Sequence, residues 1–102
     1  MQPTSLRFAA ASRALGHAAR AQGLAVPAFR SPPGRSSVRT IRRGRLGGVT
    51  VAVAIHDRPW GAVLADMIDG VTAANELVGP SADAWREAAW RAIEVDHRSQ
   101  AA

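Results

Sequence analysis

The side chains best suited to chemistry in this sequence are the arginines of one short segment. The stretch FRSPPGRSSVRTIRRGRLGG, Phe29 to Gly48, contains six arginines and no acidic residue. Guanidinium groups bind phosphates through paired hydrogen bonds, and several on one surface give a salt-dependent affinity for nucleic acid. Phe29 is the only aromatic residue here, which argues against a platform for stacking bases. The segment therefore predicts contacts to the phosphates of DNA or RNA, made by Arg35, Arg39, Arg42, Arg43 and Arg45.

Two alternative roles for these arginines stay open at this point. They could face an acidic protein partner, or they could form a solvated edge of the fold. In the second case part of the charge would be neutralised by carboxylates on a neighbouring helix, Asp66, Asp69 and Glu76. Exposed ion pairs of that kind contribute only about 0–1 kcal/mol each. A second basic patch is predicted on one face of the first helix, formed by Arg13, His17 and Arg20.

Charge is divided unevenly along the chain. Residues 1–58 hold ten arginines and one acid, whereas residues 59–102 hold three arginines and seven acids. The two parts therefore carry +9 and −4, which make up the net charge of +5. All thirteen basic residues are arginines, a composition that a GC-rich genome also produces. The basic part is predicted to meet either the acidic part within one fold or a polyanion outside it.

No constellation in the sequence predicts catalysis or metal binding. His56 and Asp57 follow the most apolar strand, but a metal site would need further ligands converging there, and the other histidines are only His17 and His97. The glycine-rich stretch 44–48 is followed neither by Lys-Ser/Thr nor by the helix of a phosphate-binding loop. We expect a protein that is not an enzyme and that holds neither a metal nor a cofactor.

The pattern of apolar and turn residues predicts an α+β fold. A first helix is expected over about residues 4–23, and its narrow, alanine-rich stripe predicts weak packing. A proline-containing linker at 24–35 precedes a β-hairpin at about 36–56, in which valines alternate with small residues. Residues 25–31 are an alternative third strand at the edge. The sheet is expected to be antiparallel, with its valine face against the next helix.

Two helices complete the prediction, at about residues 59–78 and 82–97. Gly79-Pro80 separates them, and so short a link predicts an antiparallel helical hairpin. Trp85 belongs to the packing stripe of the last helix, whereas Trp90 lies off it. Exposed aromatic side chains mark interfaces, which makes Trp90 a candidate anchor. The helical hairpin around Trp85 and Trp90 is therefore the candidate contact surface for a protein partner or for a homodimer.

Length and composition limit the class of protein. A chain of 102 residues corresponds to a single small domain, residues 1–102. The absence of cysteine excludes disulfide scaffolds, thiol catalysis and zinc ribbons. No stretch reaches about 18 uncharged apolar residues, so no membrane span is expected. Arginines interrupt the apolar residues of the N-terminus, which argues against a secretory signal, although acid-free, arginine-rich starts also occur in organelle transit peptides.

Three stretches, SRALGHAARAQGLAVPAFRSPPG, RTIRR and DRPWGAVLADMIDGVTAANEL, resemble small arginine- and alanine-rich proteins of high-GC actinobacteria. The resemblance covers most of the chain before the last helix. It implies a bacterial, cytoplasmic protein and brings no activity, cofactor or catalytic residue with it. The leading prediction is a non-enzymatic basic module that binds nucleic acid through the arginine-rich hairpin. The alternative is a protein-interaction or homodimerisation module that uses the C-terminal helical hairpin, with the arginines facing an acidic partner.

Overall fold

The computed structural model describes residues 3–32 and 39–101, so Arg35 lies outside the described residues. Three helices and three strands follow one another as α1 (Thr4–Ala21), β1 (Ala28–Arg30), β2 (Arg39–Arg43), β3 (Val49–Val53), α2 (Trp60–Ala74) and α3 (Gly79–Ala101). The predicted α+β class is confirmed, and the alternative with a third, edge strand is the correct one.

The sheet is mixed, with β3 between β1 and β2. β2 and β3 form the predicted antiparallel hairpin, in which Arg39 lies opposite Val53 and Arg43 opposite Val49. β1 instead pairs with β3 in parallel, with Phe29 next to Val51. The prediction of an antiparallel sheet is therefore wrong for β1. The direction of an edge strand depends on the path of the chain between strands, and residues within the strand carry no signal for it.

Alternation along β3 divides the sheet into two different faces. Val51 and Val53 point into the core and are fully buried. Helix α2 covers this valine face so closely that a Cβ atom on Gly70 would lie 2.4 Å from Val51 Cγ1. Thr50 and Ala52 lie on the opposite face and are only half-buried. The predicted contact between the valine face and the long helix is confirmed.

Helix α1 buries its narrow, alanine-rich stripe against the core. Leu15 and Ala19 are fully buried, and Phe8 is 7% exposed within the same cluster as the valines of β3. Small side chains bring the helix axes close together, so even a narrow stripe excludes water completely. At the start of the helix, the Arg7 guanidinium lies 4.4 Å from the ring centre of Trp60. Burial of these side chains does not measure how strongly α1 docks, so its weak docking stays a prediction.

Helix α2 ends one turn earlier than the sequence predicts. Asn75 directly follows α2 and connects the end of this helix to the segment between α1 and β1. The Ala25 N–H donates to Asn75 Oδ1 at 2.8 Å, and Asn75 Nδ2 donates to the Ala25 carbonyl at 3.0 Å. Asn75 Nδ2 also donates to the Val71 carbonyl at 3.1 Å. Glu76 then adopts a left-handed conformation with φ of 53°, which cannot continue a helix.

Helix α3 is longer than predicted at both ends and contacts α1 more extensively than α2. It begins at Gly79 because proline is tolerated in the first turn of a helix, where Pro80 lies. Ser81 therefore lies inside the helix, and its hydroxyl donates to the Val78 carbonyl at 2.8 Å. Trp85 is buried and donates from Nε1 to the Ile68 carbonyl of α2 at 2.9 Å.

Candidate functional site

The arginines of the described chain fall into two groups according to whether a carboxylate holds them. Arg58 and the three arginines of α3 are paired: Arg58 with Asp66 at 2.5 Å, Arg86 with Asp83 at 3.4 Å and Asp69 at 3.6 Å, Arg91 with Glu87 at 3.0 Å, and Arg98 with Glu94. In the described part of the sheet and its turn, no arginine contacts a carboxylate: these are Arg30, Arg39, Arg42, Arg43 and Arg45.

This pairing bears on the alternative in which carboxylates of α2 neutralise the hairpin arginines. Asp66 and Asp69 are two of the carboxylates expected to meet the hairpin arginines. Asp66 instead accepts a hydrogen bond from Arg58, which also donates to the Ala54 carbonyl at 2.7 Å. Asp69 faces Arg86 on the neighbouring helix. The positive charge of the sheet is therefore not neutralised by these two carboxylates.

Two of the unpaired arginines share the sheet face that lies opposite α2. Arg42 of β2 is directly across from Thr50, and Arg30 of β1 is the register partner of Ala52. Strands lie about 4.8 Å apart and rise about 3.3 Å per residue, which puts the Cα atoms of Arg30 and Arg42 roughly 12 Å apart along a diagonal. The small side chains of Thr50 and Ala52 lie between them. We call this surface the outer face, formed by Arg30, Thr40, Arg42, Thr50 and Ala52.

The outer face has the geometry of a shallow anion site. Arg30 and Arg42 are both exposed, while Thr50 and Ala52 form a half-buried floor. A guanidinium group at the end of a flexible side chain can reach inward over that floor from each corner, and each can form two parallel hydrogen bonds to a phosphate.

The remaining arginines of β2 lie on the valine side. Arg39 and Arg43 pair with Val53 and Val49 in the sheet register, but both are exposed because they lie near the ends of the strand. Arg43 Nη2 donates to the Ala74 carbonyl at 3.5 Å, at the C-terminal end of α2. A cation there satisfies a terminal carbonyl and interacts favourably with the helix dipole. Arg43 thus has a structural contact that the other predicted phosphate ligands lack in the described chain.

The turn between β2 and β3 places one arginine and one leucine at the tip of the hairpin. The Gly44 N–H donates to the Gly48 carbonyl at 2.7 Å, and the Gly47 N–H donates to the Gly44 carbonyl at 3.2 Å. Gly47 has a φ of 85°, a conformation that only glycine adopts readily. Arg45 and Leu46 lie between Gly44 and Gly47 in this turn. Arg45 is exposed, and Leu46 has a relative accessibility of 102%.

The other predicted groups do not converge on the hairpin. His56 Nε2 lies 3.5 Å from Asp57 Oδ2, with both side chains exposed. Across the described residues, no three histidine or acidic side chains are grouped in a way that could hold a metal ion. Arg13, His17 and Arg20 are exposed along α1. His17 also lines a groove of about 520 Å³ between α1 and α3, whose eleven lining residues include five alanines.

The two tryptophans predicted as contact residues have different environments. Trp85 is 1% exposed, so it is a core residue and cannot form part of a contact surface in this fold. Trp90 is 42% exposed and remains available. Residues three and four positions away on a helix are its neighbours on the surface, and these include the charged side chains of Glu87 and Glu94. Its fourth neighbour, Ile93, is apolar and partly buried, so Trp90 lies between the edge of the core and the charged side chains.

Arg30 of the outer face and Leu46 of the hairpin turn are not predicted as site residues from the sequence. The prolines around Arg30 predict a linker, and only the short alternation Ala28-Phe29-Arg30 indicates a strand with arginine facing outward. Leu46 follows Arg45 in a glycine-rich turn, where an apolar residue is uncommon because turns favour small and polar side chains. That departure from ordinary turn composition is the signal that could have identified Leu46.

Comparisons with known proteins give no further assignment. No protein-family model, no curated protein and no solved structure matches this chain. Among the helices of the described residues, none combines the length and the apolar character that crossing a bilayer requires.

Proposed function

We propose that this protein is a small, non-enzymatic module that binds the phosphates of nucleic acid through its sheet and hairpin turn. The contact residues are the four arginines of the sheet and turn that neither pair with a carboxylate nor cap a helix within the described residues: Arg30, Arg39, Arg42 and Arg45. The observation that supports the proposal is the segregation of ion pairs, since five carboxylates engage Arg58 and the arginines of α3: Asp66, Asp69, Asp83, Glu87 and Glu94. A bacterial, cytoplasmic setting belongs to the same proposal and is supported by the sequence resemblance.

The physical reason is that unpaired guanidinium groups can bind phosphates without first breaking an ion pair. Each contact displaces a counterion from the nucleic acid, so binding weakens as salt rises, by about 0.9 log units per log unit of salt for each phosphate neutralised on duplex DNA. Four contacts therefore predict a slope of about −3 to −4. Arg43 is expected to contribute less, because it already donates to the Ala74 carbonyl.

The test is fluorescence polarisation with a labelled duplex at several salt concentrations, starting at about 50 mM. Arg42→Ala is the informative variant and Arg98→Ala its matched control. Both remove one positive charge, but Arg98 is paired with Glu94 on α3, away from the hairpin. We expect Arg42→Ala to reduce the magnitude of the salt slope by about 1, and Arg98→Ala to leave it unchanged.

Two results would count against the proposal. The first is the absence of binding to duplex or single-stranded DNA and RNA at the lowest salt concentration. The second is an equal loss for Arg42→Ala and Arg98→Ala, because binding would then depend on net charge alone. Circular dichroism of each variant establishes that the fold is retained before the affinities are compared.

A second candidate function is self-association through α3, and the exposed Trp90 favours it. This surface is less suited to a stable interface, because Glu87 and Glu94 flank the tryptophan and stable interfaces have a contiguous apolar centre. Sedimentation velocity of the wild type and of Trp90→Ala separates the two functions. A dimer in the wild type that dissociates in Trp90→Ala supports self-association, whereas a monomer in both rejects it.

A further inference from the structure

Leu46 is the most exposed large apolar side chain of the described chain, at 102%, and it lies at the outermost point of the hairpin. The other exposed large apolar side chains of the described residues lie on α1, on α3 or just before α3, and their exposed fractions range from 42% to 77%. A Cβ atom on Gly47 or on Gly48 would have no atom within 4 Å, so neither glycine packs against anything next to the leucine. Leu46 therefore contributes nothing to the folded core, and packing does not account for an apolar residue at this position.

The hairpin carries cations on both sides behind this leucine. Arg42 projects from the outer face and Arg43 from the valine face, while Arg45 adjoins Leu46 in the turn. The major groove of B-DNA is about 12 Å wide and admits a two-stranded β-ribbon, and phosphates line both of its walls. A ribbon with arginines on both faces matches a groove with phosphates on both sides.

The depth of the groove fits the length of the tip. The groove is about 8.5 Å deep, and strands rise about 3.3 Å per residue, so roughly two to three residues separate its floor from its rim. Arg43 is paired with Val49 and the chain reverses at the tip, so Arg45 and Leu46 lie about two residues, or roughly 7 Å, beyond Arg43 along the hairpin. When the hairpin enters tip first, Leu46 reaches the base edges while the guanidinium group of Arg42 reaches the level of the phosphates. Arg43 makes a weaker contact on the other wall, because its bond to the Ala74 carbonyl has to be released first.

We infer that Leu46 contacts the C5-methyl groups of thymine in the major groove of duplex DNA. The thymine methyl is the one apolar group that base pairs display there, and apolar side chains recognise it. The inference rests on the proposed function and specifies its partner: the major groove of RNA duplexes is too narrow for side chains to enter, so the ligand is DNA. A membrane surface fits less well, because amphipathic membrane contacts use a broad apolar face, whereas Leu46 is the one large exposed apolar residue that the described hairpin carries.

The experiment compares two duplexes that differ only in the methyl groups. One contains alternating adenine and thymine, and in the other every thymine is replaced by deoxyuridine. Leu46→Ser is the test variant, and Leu6→Ser is the matched control because Leu6 is also an exposed leucine, at 56%, but lies on α1. Both leucines are exposed, so circular dichroism is expected to be unchanged in both variants.

We expect the wild type and Leu6→Ser to bind the thymine duplex about fourfold more tightly than the deoxyuridine duplex for each methyl contacted. Leu46→Ser is expected to bind both duplexes equally, with the salt slope of the wild type. Loss of the thymine preference without a change in slope supports the inference.

Three outcomes overturn it in distinguishable ways. If the wild type binds both duplexes equally while Arg42→Ala still reduces the salt slope, the proposed function stands and the thymine contact is wrong. If the wild type binds neither duplex, both proposals fail. If Leu46→Ser leaves DNA binding unchanged but abolishes binding to vesicles of phosphatidylcholine with one-quarter phosphatidylserine, the tip binds a membrane surface instead.

Discussion

Gly70 offers a sharp test of the packing between α2 and the sheet. A Cβ atom at this position would lie 2.4 Å from Val51 Cγ1 and 3.2 Å from Val51 Cγ2. Non-bonded carbon atoms normally approach to about 3.5–4.0 Å, so Gly70→Ala requires a displacement of more than about 1 Å at the centre of the core. Val51 is fully buried, and α2 covers it from this side, so there is little room for that displacement.

The expected cost of Gly70→Ala follows from two opposing effects. Overpacking a core costs about 1–3 kcal/mol, whereas replacing glycine by alanine inside a helix stabilises it by up to about 1 kcal/mol. We expect a net loss of about 1–2 kcal/mol in the free energy of unfolding. For a domain of this size, that lowers the midpoint of thermal unfolding by about 5–15 °C, which circular dichroism measures directly.

Gly61→Ala is the matched control, since it makes the same substitution in the first turns of the same helix. A Cβ atom there has nothing within 4 Å, so the variant is expected to be as stable as the wild type or slightly more stable. The double variant Gly70→Ala/Val51→Ala completes a thermodynamic cycle. Removing the two methyl groups should recover about 0.5–3 kcal/mol of the cost of Gly70→Ala as coupling energy. If Gly70→Ala were as stable as Gly61→Ala, the close approach of α2 to β3 would be refuted.

Three further substitutions test other contacts, each by urea unfolding. Asn75→Ala removes the hydrogen bonds to the backbone of Ala25 and is expected to destabilise the fold by about 0.5–1.5 kcal/mol, the net contribution of a hydrogen bond whose groups water can reach. Trp85→Phe removes the donor to the Ile68 carbonyl and leaves a void in the core, with an expected loss of about 1–3 kcal/mol. Arg58→Ala leaves its carboxylate partner, which is only 22% exposed, without a cation, and a loss of about 1–2 kcal/mol is expected.

Each of these predictions has an outcome that contradicts it. Arg91→Ala is the control for Arg58→Ala: it removes an exposed ion pair with Glu87 and is expected to cost at most about 0.5 kcal/mol. If Arg58→Ala cost no more than Arg91→Ala, the semi-buried environment of the Arg58–Asp66 pair would be contradicted. Asn75→Ala with unchanged stability would show that the bonds to Ala25 are replaced by water without cost. Trp85→Phe as stable as the wild type would contradict both the hydrogen bond and the tight fit of the indole ring.

Much of the local structure could be predicted because it depends on neighbours in sequence. The alternation of Val49, Val51 and Val53 with small residues predicted both the strand and its buried face. The apolar period after Pro59 predicted α2 and its contact with the sheet. The end of α2 is the exception: the pattern continues to Val78, but Asn75 bonds to Ala25, fifty residues earlier, and no local signal predicts that contact.

The candidate site was predicted only in part. Arginine at 39, 42 and 45 could be identified from composition, whereas the grouping of Arg30 with Arg42 depends on β1 lying beside β3. The burial of Trp85 likewise depends on the position of α2, and this excludes a residue that its type had suggested for an interface.

The sequence alone determined the segregation of charge, the absence of cysteine and the alternating strand, since these follow from residue type and order. The tertiary structure decided which carboxylates hold which arginines. Asp66 and Asp69 lie on the flank of α2 that Arg58 and Arg86 reach, so the hairpin arginines remain without a carboxylate in the described chain. The physical reason is that an ion pair requires approach within a few ångströms, and only the packing of α2 and α3 determines which charges come that close.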